Sequence, residues 1–137
     1  IVVKSKEGLE KVGKAANIYQ APAAIVVCAN KTKAWKRPFD GKITTDIDAS
    51  ILTDHMMLEA TELGLGSVWI CYFNPDILKE ELNLPENLEP VNILALGYSD
   101  ELDASAERHK DMRIGMMSWF PTFKTNSMHH KQTCDFK

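Results

Sequence analysis

Cysteine is scarce in this chain of 137 residues. The three present are Cys28, Cys71 and Cys134, and no two form a Cys-x-x-Cys pair. An odd count at wide spacing excludes a disulfide framework and a zinc knuckle, and it points to a reducing, cytoplasmic setting. No apolar run approaches the roughly 18 residues that would span a bilayer. Ile1-Val2-Val3 lacks the basic start and cleavage site of a signal peptide. Excess positive charge is missing too: a net charge of -3 gives no electrostatic reason to expect nucleic acid or an anionic membrane as partner. No histidine stands at a recognisable catalytic spacing from a serine or cysteine. A nucleophile–base mechanism therefore has no carrier, and no catalytic side chain is assigned.

What the chain does have is one long apolar stretch in its middle, Asp46 to Phe73. A hydrophobic content of 45% suits one globular domain. Ala49, Leu52, Met56, Ala60 and Leu63 recur at steps of three and four, the spacing of one helical face. Ile47, Ile51 and Leu58 lay a second stripe beside it. So wide an arc predicts a helix sandwiched between two surfaces, the second supplied by this chain or by another copy. Asp46 or Asp48 is expected to cap its start. Gly64-Leu65-Gly66 ends it as a glycine C-cap and tight turn. That Gly-x-Gly follows a helix and precedes a strand, the reverse of a dinucleotide fingerprint.

Around this centre the chain alternates. Ile1-Val2-Val3 reads as the end of a strand. Lys6 to Tyr19 reads as a helix weakened by Gly8 and Gly13, each by about 1 kcal/mol against alanine. Ala23 to Ala29 is a strand covered on both faces, and Asn30 to Thr45 is a long polar loop of the kind that carries function. Ser67 to Cys71 forms a further strand. Asn74-Pro75-Asp76 starts a helix to Leu82, with asparagine as N-cap and proline at the first helical position. Val91 to Tyr98 is the last strand. Strand, helix, strand, helix, strand, helix, strand argues for a layered α/β or α+β domain with at least three central strands.

Single residues taken alone read modestly. Cys71 has apolar flanks and is expected to be a buried, inert thiol. His55 on the central helix reads as structural. His129, His130 and Cys134 lack the spacing of a metal site. Arg108, Lys110 and Arg113 are either a solvated surface run or a phosphate clamp.

Four pieces in register do more than any one of them. Ala21-Pro22-Ala23-Ala24-Ile25-Val26-Val27, Asp48-Ala49-Ser50, Glu62-Leu63-Gly64-Leu65-Gly66-Ser67-Val68-Trp69-Ile70 and Leu96-Gly97-Tyr98 resemble the FMN-dependent nitroreductase family in order and spacing. The resemblance covers about Ile1 to Arg113. It implies an α+β fold: a three-layer α/β/α sandwich with a mostly antiparallel central sheet, a long buried central helix and an intimate homodimer. It implies FMN at the dimer interface, hydride taken from NADH or NADPH, and nitroaromatic, quinone or similar acceptors. By the same resemblance Trp69, Ile70 and Cys71 run along the flavin, and the backbone N–H at or near Cys71 is a donor to flavin N5. Arg113, with Arg108 or Lys110 as substitutes, would bind the phosphate. Flavin chemistry asks the protein for a dry slot, backbone hydrogen bonds and a phosphate anchor, which suits a chain without catalytic dyads.

Two departures stand beside the match. The family's N-terminal segment, with its arginine- and serine-rich phosphate-binding motif, has no counterpart before Ile1. Residues 114-137 depart from the usual C-terminal pattern. The expected organisation is a nitroreductase-like domain, incomplete at its N-terminus, over 1-113 and an atypical tail over 114-137. The alternative reading is a non-enzymatic dimerisation or ligand-binding module on the same scaffold.

Overall fold

In the computed structural model of the chain, which describes residues 1–98 and Glu107, seven elements alternate as expected. They are β1 (Val2–Val3), α1 (Lys6–Ala15), β2 (Ala23–Asn30), α2 (Thr45–Glu62), β3 (Gly66–Ile70), α3 (Pro75–Glu81) and β4 (Leu88–Gly97). The strands form one antiparallel sheet in the order β1-β2-β4-β3. β2 and β3 both pair with β4, so they run parallel to each other, and α2 is the crossover between them.

Register assigns the faces. Ala24, Val26, Ile93, Ala95 and Ile70 lie on one side of the sheet and join Val12, Ala15 and Leu78 in the main core under α1 and α3. Val27, Leu94 and Asn92 alternate to the other side, where α2 packs. These are the three layers.

Caps set the element ends. Ser5 Oγ accepts from the Gly8 N–H at 3.1 Å and opens α1. That helix stops at Ala15, short of the expected Tyr19. Asn17 Oδ1 accepts from the Tyr19 N–H, and Tyr19 and Gln20 then turn the chain with φ of 55° and 58°. Gly8, costly by propensity, is required by packing: a Cβ there would meet Val3 Cγ1 at 2.7 Å. The start of α2 differs from expectation. Thr44 is its N-cap, without a side-chain bond, and Asp46 and Asp48 fall inside the first turn, where they offset the helix dipole instead of capping. At the other end Gly64, at φ 72°, closes a Schellman turn: its N–H bonds Thr61 O at 3.0 Å, and Leu65 N–H bonds Ala60 O at 2.8 Å. Asn74 caps α3 through both Asp76 and Ile77 N–H groups.

β4 begins at Leu88 and runs through Pro90, earlier than the sequence suggests. The register shifts between Val27 and Cys28 and leaves Val91 as the extra residue of a bulge. Proline cannot donate to the ladder, and here it sits beyond the end of β3, where β4 has a neighbour on one side.

Among the described residues, α2 is covered on one side. Ala49, Thr53 and Ala60 are buried, and so the inward face is rotated from the expected stripe: Leu52 and Leu63 lie outside it. Small residues let the helix approach closely. Thr53 is drawn inward by a polar partner, as Asn92 Nδ2 donates to its Oγ1 at 3.0 Å while the hydroxyl donates to Ala49 O at 2.8 Å. Ile47, Ile51, Leu52, Leu58 and Leu63 are 53–63% exposed on the outer side.

Candidate functional site

β3 is five residues long and ends at Ile70, paired with Ile93. Three residues later the chain is fixed again: the Asn74 N–H bonds Ala15 O at 2.9 Å at the end of α1, and the Asn74 side chain caps α3. Cys71, Tyr72 and Phe73 therefore form a short strap held at both ends. Phe73 turns inward and packs on the core, whereas Tyr72 is 97% exposed and Cys71 is exposed. The expectation of a buried Cys71 is corrected by this: the ladder stops one residue before it, so the apolar run continues while the cover does not.

The sequence-assigned residues Trp69, Ile70 and Cys71 take three different environments. Alternation along β3 turns Ile70 into the α1–α3 core, 7% exposed, so only its backbone is free to face a ligand. Trp69 lies opposite Leu94 on the α2 side. Its indole Nε1–H is buried with no acceptor among the described residues. Buried donors are almost always paired, so this one calls for an acceptor that the described residues do not supply, such as a bound group or an ordered water. Arg113, Arg108 and Lys110 lie outside the described residues, as do His129, His130 and Cys134. His55 is on the exposed side of α2. Among the described residues no group of acids, histidines and cysteines could hold a metal, and no helix is long and apolar enough to cross a membrane.

Cys28 lies partly buried in β2, and burial pushes its thiol above the ordinary range, which suits an unreactive core residue. Glu89 at the start of β4 is held below the usual carboxylate range by hydrogen bonds from Lys31 and then Lys79, at 2.7 and 2.6 Å. It ties the loop after β2 and α3 to β4.

Two clefts bear on the site. One of about 490 Å³ is lined by Ala15, Tyr72, Phe73 and Asn74 and opens at the strap. A larger one of about 840 Å³ lies beside α1, lined by Lys4, Leu9, Gly13, Ala16, Ile18 and Ala21. Its lining comes from α1 and its flanks and includes none of Trp69, Ile70 and Cys71, the residues that the family resemblance assigns to the cofactor. The strap is the better candidate.

The Nitroreductase family model matches residues 2–98, which takes in every described strand and helix. The chain belongs to the nitroreductase family. A protein of Archaeoglobus fulgidus named "Putative NADH dehydrogenase/NAD(P)H nitroreductase" is 36% identical, over 87% of this chain and 72% of that one. The crystal structure of a nitroreductase family protein from Clostridium difficile 630 superposes with a TM-score of 0.83 at 61% identity, covering 87% of this chain and 69% of that one. An FMN-dependent nitroreductase from Clostridium difficile R20291 matches at 29% identity and a TM-score of 0.62, over 83% and 72% of the two chains. Membership puts this chain among nitroreductase-type oxidoreductases.

The described residues fit a flavin in kind. The strap offers exposed residues fixed at both ends with a cleft on its α1–α3 side, the buried indole N–H of Trp69 lies on the α2 side without a partner among the described residues, and flavin chemistry needs no protein nucleophile. Composition carried no signal for the Thr53–Asn92 pair, which sets α2 on the sheet behind this strand. A hydrophobic pattern records where apolar residues fall and is blind to a polar pair that satisfies itself.

Proposed function

We propose that this nitroreductase-family chain is an FMN-dependent oxidoreductase that works in the cytoplasm as a homodimer. It would take hydride from NADH or NADPH and pass electrons to nitroaromatic, quinone or similar acceptors. The observation that carries the reading is the family match over 2–98 together with the exposed end of β3 at Cys71, one of the residues that the family resemblance assigns to the flavin. FMN, when bound, supplies the hydride chemistry. The chain's own part is to hold and orient. The backbone of Trp69, Ile70 and Cys71 would floor the ring, with the Cys71 N–H as donor to it, and Arg113 would anchor the phosphate.

The homodimer is supported by the outer face of α2. Five aliphatic side chains there are 53–63% exposed. Covering the exposed half of each is worth about 1 kcal/mol, so a symmetric pair of such faces gives about 10 kcal/mol before association costs.

Purified protein supplied with FMN is expected to be yellow and to bleach anaerobically on addition of NADH or NADPH. A colourless protein that takes up no FMN from a micromolar solution refutes the reading. The second reading, a dimerisation or ligand-binding module without flavin chemistry, is favoured by the α2 face alone, because that face does not depend on a cofactor. Light scattering at the dimer mass with no change in a flavin titration would select it.

A further inference from the structure

Between β2 and α2 the chain makes an excursion, residues 31–44, that the flavin site does not account for. It carries five of the chain's 16 basic residues, Lys31, Lys33, Lys36, Arg37 and Lys42, and one of its 19 acids, Asp40. In a protein of net charge -3 this is a local reversal of sign. The excursion is also built. Asn30 Oδ1 accepts from Thr32 and Lys33 N–H groups at its start. Lys36 pairs with Ile43, Arg37 N–H bonds Lys42 O at 3.0 Å, and Gly41 turns the tip at φ 68°. Asp40 is consumed inside the turn, pairing with the Arg37 guanidinium and accepting from Lys42 N–H at 3.1 Å. Lys31 is consumed by Glu89. That leaves Lys33, Lys36 and Lys42 exposed, with no ion pair among the described residues. Beside them Trp35 is 61% and Phe39 96% exposed.

Topology brings this hairpin to the end of the sheet where the strap lies. β2 and β3 are parallel, so Asn30 and Ile70 leave the sheet at the same end. The Thr53–Asn92 pair sets the height of α2 near the strap, since Asn92 precedes the partner of Ile70 on β4. From Thr53 back to Thr45 is eight residues of helix, about 12 Å. As the crossover from β2 to β3, α2 starts at the end of the sheet where both strands leave it, so its N-terminal end and the hairpin before it belong to the same end as the strap.

We propose that the hairpin of residues 31–44 binds the adenylate end of the nicotinamide dinucleotide reductant, with Lys33, Lys36 and Lys42 on its phosphates and Trp35 or Phe39 against its adenine. The inference rests on the reading of the strap as a flavin site. Three uncompensated ammonium groups suit a pyrophosphate, and an exposed aromatic face stacks on a base without needing its sequence of donors and acceptors. Asp46 and Asp48 in the first turn of α2 repel anions from the helix N-terminus and leave the lysines as the place for them. The juxtaposition of cations, aromatic faces and a neighbouring redox site fits one occupant, a charged molecule with a flat ring at one end and its reactive ring at the other.

The test uses the full chain loaded with FMN and follows anaerobic bleaching of the flavin by stopped flow. NADH is compared with reduced nicotinamide mononucleotide, which has the same reactive ring and no adenylate. Wild type is expected to bind NADH at least tenfold more tightly than the mononucleotide. The triple variant Lys33→Ala/Lys36→Ala/Lys42→Ala should lose about tenfold for NADH, nothing for the mononucleotide, and none of the limiting rate, as expected for three screened charge contacts. Trp35→Ala and Phe39→Ala report separately on stacking, and one of them should lower NADH affinity several-fold. Equal effects on both reductants, or no effect on either, overturn the proposal. So does a change in the oligomer mass of the lysine variant, which would assign the hairpin to a contact between copies. If NADH fails to bleach the wild-type flavin, the oxidoreductase reading falls and takes this inference with it. If NADH bleaches it but the variant behaves as wild type, this inference falls alone.

Discussion

Thr53→Val replaces a hydroxyl by a methyl of nearly the same size, so it opens no cavity. Its effect is confined to hydrogen bonding. Thr53 and Asn92 are both at 0% exposure, and each is the other's side-chain partner across the interface of α2 and β4. Removing the hydroxyl strands the Asn92 carboxamide in an apolar layer between Leu94 and Val27. Leaving a buried polar group unsatisfied costs about 1–3 kcal/mol, and an amide lies toward the upper end of that range. A loss of about 2–3 kcal/mol is a large part of the 5–15 kcal/mol that holds a domain together, and it corresponds to roughly 10 °C in Tm for a chain of this length. Asn92→Val alone removes the other partner and should cost about 1–2 kcal/mol. The double variant leaves neither group unpaired and is expected within about 1 kcal/mol of wild type, giving a coupling of about 3 kcal/mol. Urea unfolding followed by circular dichroism measures this, with an unchanged m-value as the check that the denatured state is the same. A wild-type midpoint for Thr53→Val, or a double variant as unstable as the two singles added, would refute the reasoning. The pair would then be wet or dispensable, and the height of α2 against the strap would have to be set by packing of Ala49 and Ala60.

Three further outcomes follow from named contacts. Ile51→Glu together with Leu58→Glu puts charge on the outer face of α2, and light scattering is expected to show the protein shift from dimer to monomer; a dimer that persists at micromolar concentration excludes α2 as its interface. Gly8→Ala and Gly64→Ala should both destabilise, for opposite reasons: the first by about 1–3 kcal/mol because its Cβ meets Val3 Cγ1 at 2.7 Å, the second by about 1 kcal/mol through its φ of 72° although nothing lies within 4 Å of its Cβ. A gain in stability at Gly8 from helix propensity would show that Val3 can move aside. Glu89 is depressed from 4.5 by Lys31 and then Lys79, so its contribution is present above that value and is lost as pH falls through its lower folded pKa. Glu89→Gln is expected to cost about 0.5–1 kcal/mol at pH 7 and progressively less as pH falls below 4.5, and a pH-independent difference in thermal unfolding would contradict the ion pairs.

The chain by itself determined the order of its elements and most of their ends. Asn74-Pro75-Asp76 and Gly64 act through bonds to residues two to four positions away, and such local chemistry is complete within a short window of sequence. The same holds for the strand expected over Ala23 to Ala29, which the fold extends by one residue to Asn30. Tertiary structure decided what no window contains. Which side of α2 turns inward depends on Asn92, 39 residues away from Thr53, and so the buried face is polar at its centre and rotated from the apolar stripe. Gly8 is explained by Val3 across a turn, and Pro90 is tolerated because β3 ends before reaching it. The exposure of Cys71 was hidden for the same reason. Its flanks read as a buried strand, but cover is a property of the neighbour, and the last residue of β3 to have a partner is Ile70.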